Sequence, residues 1–259
     1  MNSDKSIDLY RLFTSHICES KFTVVLTGAG ISTESGIPDF RSPNGVWATN
    51  RQVYFDEFLR DREARYEYWR QKSASHRAFV DSIPNIGHRM IVKWQEQGLV
   101  SRVITQNIDG LHQQAGSEDV IEIHGTARRV ACLSCGWNED AEVMVQRFLV
   151  NDACPKCDEC GGITKHATIS FGQQLNETVM QDTIDTLGKA ELVIALGTSL
   201  VVEPAASIPW INNSPSRTVG IVNREETGKD HLADIVIHGE LGVTLTEIDQ
   251  HLEHAMMAD

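Results

Sequence analysis

Short apolar runs, each closing on a glycine or a small polar residue, constrain this chain more than any other feature. Phe22–Thr27 runs into Gly28-Ala29-Gly30, Leu192–Leu196 into Gly197-Thr198-Ser199, and Thr218–Val222 into Asn223. Continuous apolar character over four to six residues, bounded by glycines, suits strands buried on both faces of a parallel sheet. Further strand signals fall at Leu99–Thr105, Val120–Ile123, Thr168–Phe171 and Ile235–Ile237. Helical spacing occupies residues 7–20, the stretch holding Ile91, Val92 and Trp94, and the intervals between Thr168–Phe171, Leu192–Leu196 and Thr218–Val222. Strands alternating with helices predict an α/β chain, a Rossmann-like doubly wound parallel sheet with right-handed crossovers.

Two segments interrupt that alternation. Residues 44–85 are charged and aromatic, as in FDEFLRDREARYEYWRQK, with helical spacing and no strand signal, and read as an inserted helical lobe. Residues 128–165 carry five of the six cysteines, show no periodicity of their own, and read as an insertion held by metal. The expected organisation is a Rossmann-like domain of residues 1–43, 86–127 and 166–259, a helical lobe over 44–85, and a metal-binding module over 128–165.

Charge narrows the function. With 23 basic against 36 acidic residues the 259-residue chain carries a formal charge of −13, so no cationic surplus is available for direct nucleic-acid binding. The opening MNSDKSIDLYRLF has early acids and no long apolar core, and no run reaches the ~18 apolar residues of a membrane span. The expectation is a soluble cytoplasmic protein with no membrane partner. In that setting clustered cysteines read as metal ligands before disulfides.

In doubly wound sheets ligands bind beyond the carboxyl ends of the strands. The loops expected there hold the unusual segments: GAGISTESGIPDFR (28–41), TQNIDGLHQQAG (105–116), ALGTSL (195–200) and IVNRE (221–225). Glycines at 28 and 30 suit a backbone approaching a pyrophosphate, Thr198 and Ser199 add hydroxyls, and Asn223 can reach ribose or base. Together they predict a dinucleotide pocket. It is not that of a dehydrogenase: Thr33 stands where the third glycine of G-x-G-x-x-G belongs, and no acid closes a second strand ~20 residues on.

GAGISTESGIPDFRSPNGVW, TQNIDGLH, the IHG at 123–125, two C-x-x-C pairs, GTSL and VNRE occur in the order found in the sirtuins, and the resemblance spans about residues 24 to 241. Sirtuins are NAD-dependent protein-lysine deacylases that consume NAD. The resemblance implies that an acyl-lysine carbonyl oxygen attacks C1′ of the nicotinamide ribose, nicotinamide leaves, and free lysine and 2′-O-acyl-ADP-ribose result. It makes His124 the base that deprotonates a ribose hydroxyl, with Asn107 and Asp109 orienting ribose, water and carboxamide. The cofactor set it implies is Gly28, Ala29, Gly30, Ile31, Gln106, Gly197, Thr198, Ser199, Asn223, Arg224, Glu225 and Leu241, together with a loop bearing Asp39, Phe40 and Arg41. There Phe40 shields C1′ from water and Arg41 steadies phosphate. His112 falls on a structural position.

For the metal, Cys132-x-x-Cys135 is one half-site, and spacing leaves Cys154/Cys157 and Cys157/Cys160 both open as the other. Sirtuins place the second pair just before Gly-Gly, which implies Cys132, Cys135, Cys157 and Cys160 around one structural zinc, with Cys154 spare. Ile169, Ser170, Phe171 and Gly172 resemble the family's peptide-pairing strand, with Gln173 in place of the usual Glu. Sirtuins for acidic acyl groups carry Tyr-x-x-Arg in the lobe; with Arg70 in the Arg place, Glu67 stands for Tyr, so uncharged acyl groups, acetyl first, are expected from acyl-lysine proteins or peptides. Two rival readings share the pocket. A mono-ADP-ribosyltransferase would leave ADP-ribosylated protein instead of O-acyl-ADP-ribose, and a non-catalytic NAD sensor would bind NAD without turnover.

Overall fold

A computed structural model describes residues 2–39, 45, 46, 50–212 and 214–257. The apolar runs form the centre of a six-stranded parallel sheet: β1 (Thr23–Thr27), β2 (Arg102–Thr105), β3 (Val120–Glu122), β7 (Leu192–Leu196), β8 (Thr218–Asn223) and β9 (Ile235–His238), in the order β3-β2-β1-β7-β8-β9. Register pairs Thr27 with Thr105 on one side and with Leu196 on the other, and Leu196 with Val222. The order reverses between β1 and β7, so the loops leaving these strands diverge and open a crevice.

Successive residues of each central strand face opposite layers, which explains why the runs are apolar throughout. On one face Val25, Val103 and Ile194 pack with Phe13 and Ile17 of α1 (Asn2–Glu19), Ile91 and Trp94 of α4 (Ile86–Glu96), and Leu245, Ile248 and Leu252 of α8 (Leu241–Met256). On the other, Val24, Leu26 and Val193 pack with Leu187 of α7 (Glu177–Leu187) and with a short helical turn at Ala205–Trp210. No described helix is long and apolar enough to cross a membrane.

The second sheet corrects two expectations. Thr168–Phe171 is not a parallel strand: β6 spans Thr164–Thr168 and joins an antiparallel sheet of order β5-β4-β6 with β4 (Gly125–Cys132) and β5 (Asn138–Asp140). After Thr168 the chain is diverted, because Ile169 N–H donates to His124 O (2.8 Å) and Phe171 O accepts from Phe55 N–H (2.9 Å). Nor is the cysteine segment without periodicity. It contains α6 (Ala141–Asn151), whose Ala141, Met144, Val145 and Phe148 recur at helical spacing and are buried.

Those residues share one small core with Phe58 of α2 (Phe55–Arg60), Tyr68 and Trp69 of α3 (Arg62–Asp81), and Val130 of β4. Trp69 stacks on Phe148, with ring centroids 6.1 Å apart, and His76 Nε2 meets Glu142 Oε2 at 2.7 Å. The two insertions, far apart in sequence, are thus joined by a common apolar cluster.

Candidate active site

The crevice between the large sheet and this smaller unit is a cavity of about 720 Å³. Its floor is built by three glycines. Gly28 N–H donates to Leu196 O (3.0 Å) and Gly30 N–H to Gly197 O (2.8 Å). Those two donors are therefore spent within the protein, whereas the sequence suggested them for a pyrophosphate. The need for glycine is close approach: a Cβ at Gly28 would lie 2.6 Å from Thr198 Cβ, and one at Gly30 2.7 Å from Gly197 O. The loops after β1 and β7 interlock backbone to backbone at the switch point.

The loop after β2 is bound to the same floor. Asn107 Nδ2 donates to Gly28 O and to Ser32 Oγ, both at 3.0 Å, and Ser32 Oγ donates to Asp109 Oδ2 at 2.7 Å. Asp109 Oδ1 accepts from Leu111 N–H, and its carbonyl from Arg128 Nε. Asn107 lines the cavity; Asp109, 3% exposed, lies behind it and positions Ser32 and the loop. Ser32 was not singled out from sequence, and only complete burial of a hydroxyl inside the glycine-rich loop marks it out.

His124 follows β3 and lines the cavity. Its Nδ1 lies 2.9 Å from Gln106 O. A carbonyl only accepts, so Nδ1 carries the proton and Nε2 is left with its lone pair. Burial lowers the imidazole below its ordinary value, opposed in part by that carbonyl, and the ring is neutral at pH 7. Gln106 Nε2 also donates to Thr198 Oγ1 (3.0 Å), linking the base to the loop after β7.

Ala29, Asp39, Gly197, Thr198, Ser199, Asn223, Arg224, Glu225 and Leu241 join the same wall, as do Ile169, Ser170, Phe171 and Gly172. Ile31, 1% exposed, packs into the core beneath the floor and is not on the wall. Phe40 and Arg41 lie outside the described residues. Gln173 has a visible use, since its Oε1 accepts from Ser170 N–H at 3.1 Å. His112 sits behind the site, its Nε2 2.9 Å from Thr27 Oγ1.

From the lobe, Tyr68, Gln71 and Lys72 reach the cavity, at spacings of three and four that place them on one face of α3. Arg70 does not: it pairs at the surface with Glu67, Nε to Oε2 at 2.7 Å. The lobe residues that sequence reading used to judge acyl preference therefore lie away from the wall.

In the small sheet, the sulfurs of Cys132, Cys135, Cys157 and Cys160 all lie within 4.8 Å of one another, with Cys132–Cys160 at 3.5 Å and Cys135–Cys157 at 3.6 Å. A tetrahedral zinc with Zn–S bonds of about 2.3 Å needs sulfurs about 3.8 Å apart, so the set fits a closed four-thiolate zinc site. A Cβ at Gly162 would come within 3.1 Å of two of these sulfurs. Cys154 is outside the set and packs against the shared apolar cluster.

Comparison with known proteins agrees with this geometry. A model of the Sir2 family matches residues 28–204. An NAD-dependent protein deacetylase 1 of Bradyrhizobium diazoefficiens is 45% identical over 231 residues, covering 88% of this chain and 91% of its own. A solved complex of Sir2 with a p53 peptide and NAD+ is 34% identical, with a TM-score of 0.83 over 95% of this chain and 98% of that one. Another, of Sir2 with deacetylated p53 peptide and 3′-O-acetyl ADP ribose, is 35% identical, with a TM-score of 0.85 over 93% and 97%. By fold, by the glycine floor that joins two strand loops, and by this match over most of its length, the chain belongs to the Sir2 family.

Proposed function

We propose that this chain removes acyl groups, acetyl first, from lysines of proteins or peptides, consuming NAD and releasing nicotinamide and 2′-O-acyl-ADP-ribose. The observation that carries the reading is His124, its proton fixed on Nδ1 by Gln106 O, in one cavity with the glycine floor and the Ile169–Gly172 segment. The names of the relatives and the peptide and acetyl-ADP-ribose in the solved complexes support the same reaction.

NAD, held by Ala29, Asp39, Gln106, Asn107, Thr198, Ser199, Asn223, Arg224, Glu225 and Leu241, supplies an electrophilic ribose carbon with nicotinamide as leaving group. The polar groups and the volume of the cavity fit such a dinucleotide. His124 Nε2 takes a proton from a ribose hydroxyl, and the Gln106 carbonyl supports the positive charge that then appears on the ring. Asn107 holds Gly28 and Ser32, so that floor and base keep one geometry. Asp109 acts through Ser32 as a positioning residue. The peptide lies along Ile169–Gly172, with its acyl-lysine directed toward His124. Zinc on the four cysteines is structural, because a four-thiolate site leaves no place for substrate. Thiols that must stay reduced to hold it suit the cytoplasm, and the charge of −13 argues against nucleic acid as a partner.

Mass spectrometry of the protein incubated with NAD and an acetyl-lysine peptide tests the reading. Nicotinamide and O-acetyl-ADP-ribose should form with wild type, and the acetyl-ADP-ribose should be lost in His124→Ala. ADP-ribosylated protein without O-acetyl-ADP-ribose would replace the deacylase with a transferase.

A further inference from the structure

The loop that carries Asn107 and Asp109 is held from outside the cavity by a side chain that no motif singles out. Pairing between β4 and β6 shifts register between Gly125 and Val130. An irregularity of this kind takes residues out of the ladder and re-aims them, often beside an active site. Here the displaced stretch serves the loop after β2. Ala127 N–H donates to Ile108 O and Arg128 Nε donates to Asp109 O, both at 2.8 Å. Two consecutive loop carbonyls are thus bound by two consecutive residues of β4.

The rest of the Arg128 side chain is engaged as well. Its Nη2 donates to Phe79 O at 3.4 Å, in the last turn of α3, where helix carbonyls lack partners of their own and a cation is favoured. Its stem lies over Gly110, where φ is +71° and an added Cβ would lie 3.4 Å from Arg128 Cγ and Nε. The next arginine, Arg129, is exposed and donates to Asn138 instead. Only a guanidinium has donors along one planar edge for two carbonyls; a lysine ammonium is a point charge on a flexible stem.

We infer that Arg128 is a positioning residue for the reaction, fixing the Asn107–Gly110 loop from behind and so carrying the order of the zinc-bearing sheet into the cofactor end of the cavity. The inference rests on the deacylase reading for what that loop holds. β4 begins beside His124 and ends at the zinc ligand Cys132, with Arg128 between them. Asn107 lines the cavity and binds Gly28 O and Ser32 Oγ, so a displaced loop moves the floor with it. The peptide segment is anchored elsewhere, through Ile169 N–H to His124 O and Phe55 N–H to Phe171 O.

Initial rates with NAD and an acetyl-lysine peptide would compare wild type with Arg128→Met, which keeps the stem over Gly110, and Arg128→Lys, which keeps the charge. Misplacing a reacting group by about 1 Å can cost about 100-fold, so kcat should fall about tenfold or more in both variants, with KM for the peptide within about twofold. Zinc content should be unchanged, and the acid limb of the pH profile should not move, because His124 keeps its Gln106 carbonyl. Full activity in Arg128→Met, or its restoration by Arg128→Lys, overturns the inference. So does a fall in kcat that comes with loss of zinc or a matching rise in peptide KM, the mark of a merely structural arginine. Calorimetry with NAD alone keeps the two readings apart. If wild type turns over no peptide, the deacylase reading fails, and Arg128 is then judged by NAD affinity, which should drop about fivefold or more in both variants as the loop loses its preorganisation. Unchanged affinity would overturn the inference there too.

Discussion

Lowering the pH from 7 to 5 should destabilise this protein through two histidines buried behind the active site. His88 of α4 and His112 of α5 (Leu111–Ala115) are at most 1% exposed, and their ring centroids are 4.9 Å apart. Each is hydrogen-bonded through one nitrogen, His88 Nδ1 to Asn85 Oδ1 at 3.0 Å and His112 Nε2 to Thr27 Oγ1 at 2.9 Å. Burial holds His88 at about 4 and His112 at about 3, the latter also opposed by His88. Both folded-state values lie below the ordinary imidazole value of about 6.5. Between that value and the folded one, the unfolded chain binds protons that the folded chain refuses, so stability is complete above pH 6.5 and is lost as pH falls. At pH 5 each ring contributes roughly 1.5 pH units at 1.36 kcal/mol, about 2 kcal/mol, or about 4 kcal/mol for the pair. Against a total of about 5–15 kcal/mol that is a large fraction. Urea unfolding followed by far-ultraviolet circular dichroism at the two pH values measures the difference. In His112→Gln, which cannot titrate, the pH-dependent loss should shrink by about 2 kcal/mol. A loss below about 1 kcal/mol in wild type, or one unchanged in His112→Gln, would refute the reasoning.

Three further outcomes follow from the geometry. In initial-rate pH profiles, the acid limb of kcat/KM should fall below the ordinary imidazole value, because burial lowers His124; a limb above about 6.5 would contradict that environment. Removing zinc by chelation, or replacing Cys157 with Ser, should red-shift emission from Trp69 and Trp137, which pack in or against the shared cluster, while the circular dichroism of the large sheet persists. Gly125→Ala should abolish turnover with acetyl-lysine peptide and lower the melting temperature, since residue 125 has φ +70° and a Cβ there would lie 2.0 Å from Ala167 O. Wild-type behaviour of that variant would show that β4 and β6 can separate.

The large sheet was legible because its strands are buried on both faces, so they appear in sequence as continuous apolar runs such as Leu192–Leu196. The small sheet was not. β4 reads GTARRVAC and β6 reads TKHAT, and β6 buries Lys165 and His166 among Tyr68 and Trp69, contacts no periodicity announces. The apolar Ile169 and Phe171 drew the strand signal downstream of its true place. At the site, the motifs brought most of the cavity wall into view, including His124 and Asn107. They do not reveal that Gly28 and Gly30 spend their N–H groups within the protein or that Asp109 is bonded to Ser32 behind the wall, because a motif records which residues recur and not which atoms are already bonded. Three cysteines at equal spacing leave the second half-site open on spacing alone, and the convergence of the sulfurs agrees with the pair that the sirtuin resemblance implies.

His124 occupies the step between the two sheets, for β3 ends at Glu122 and β4 begins at Gly125. The returning chain crosses at the same level, where Ile169 N–H is tied to His124 O. The base is therefore tied to both sheets at once, through its own chain on one side and through Ile169 on the other, so the imidazole keeps one position relative to the glycine floor and to the segment that follows β6.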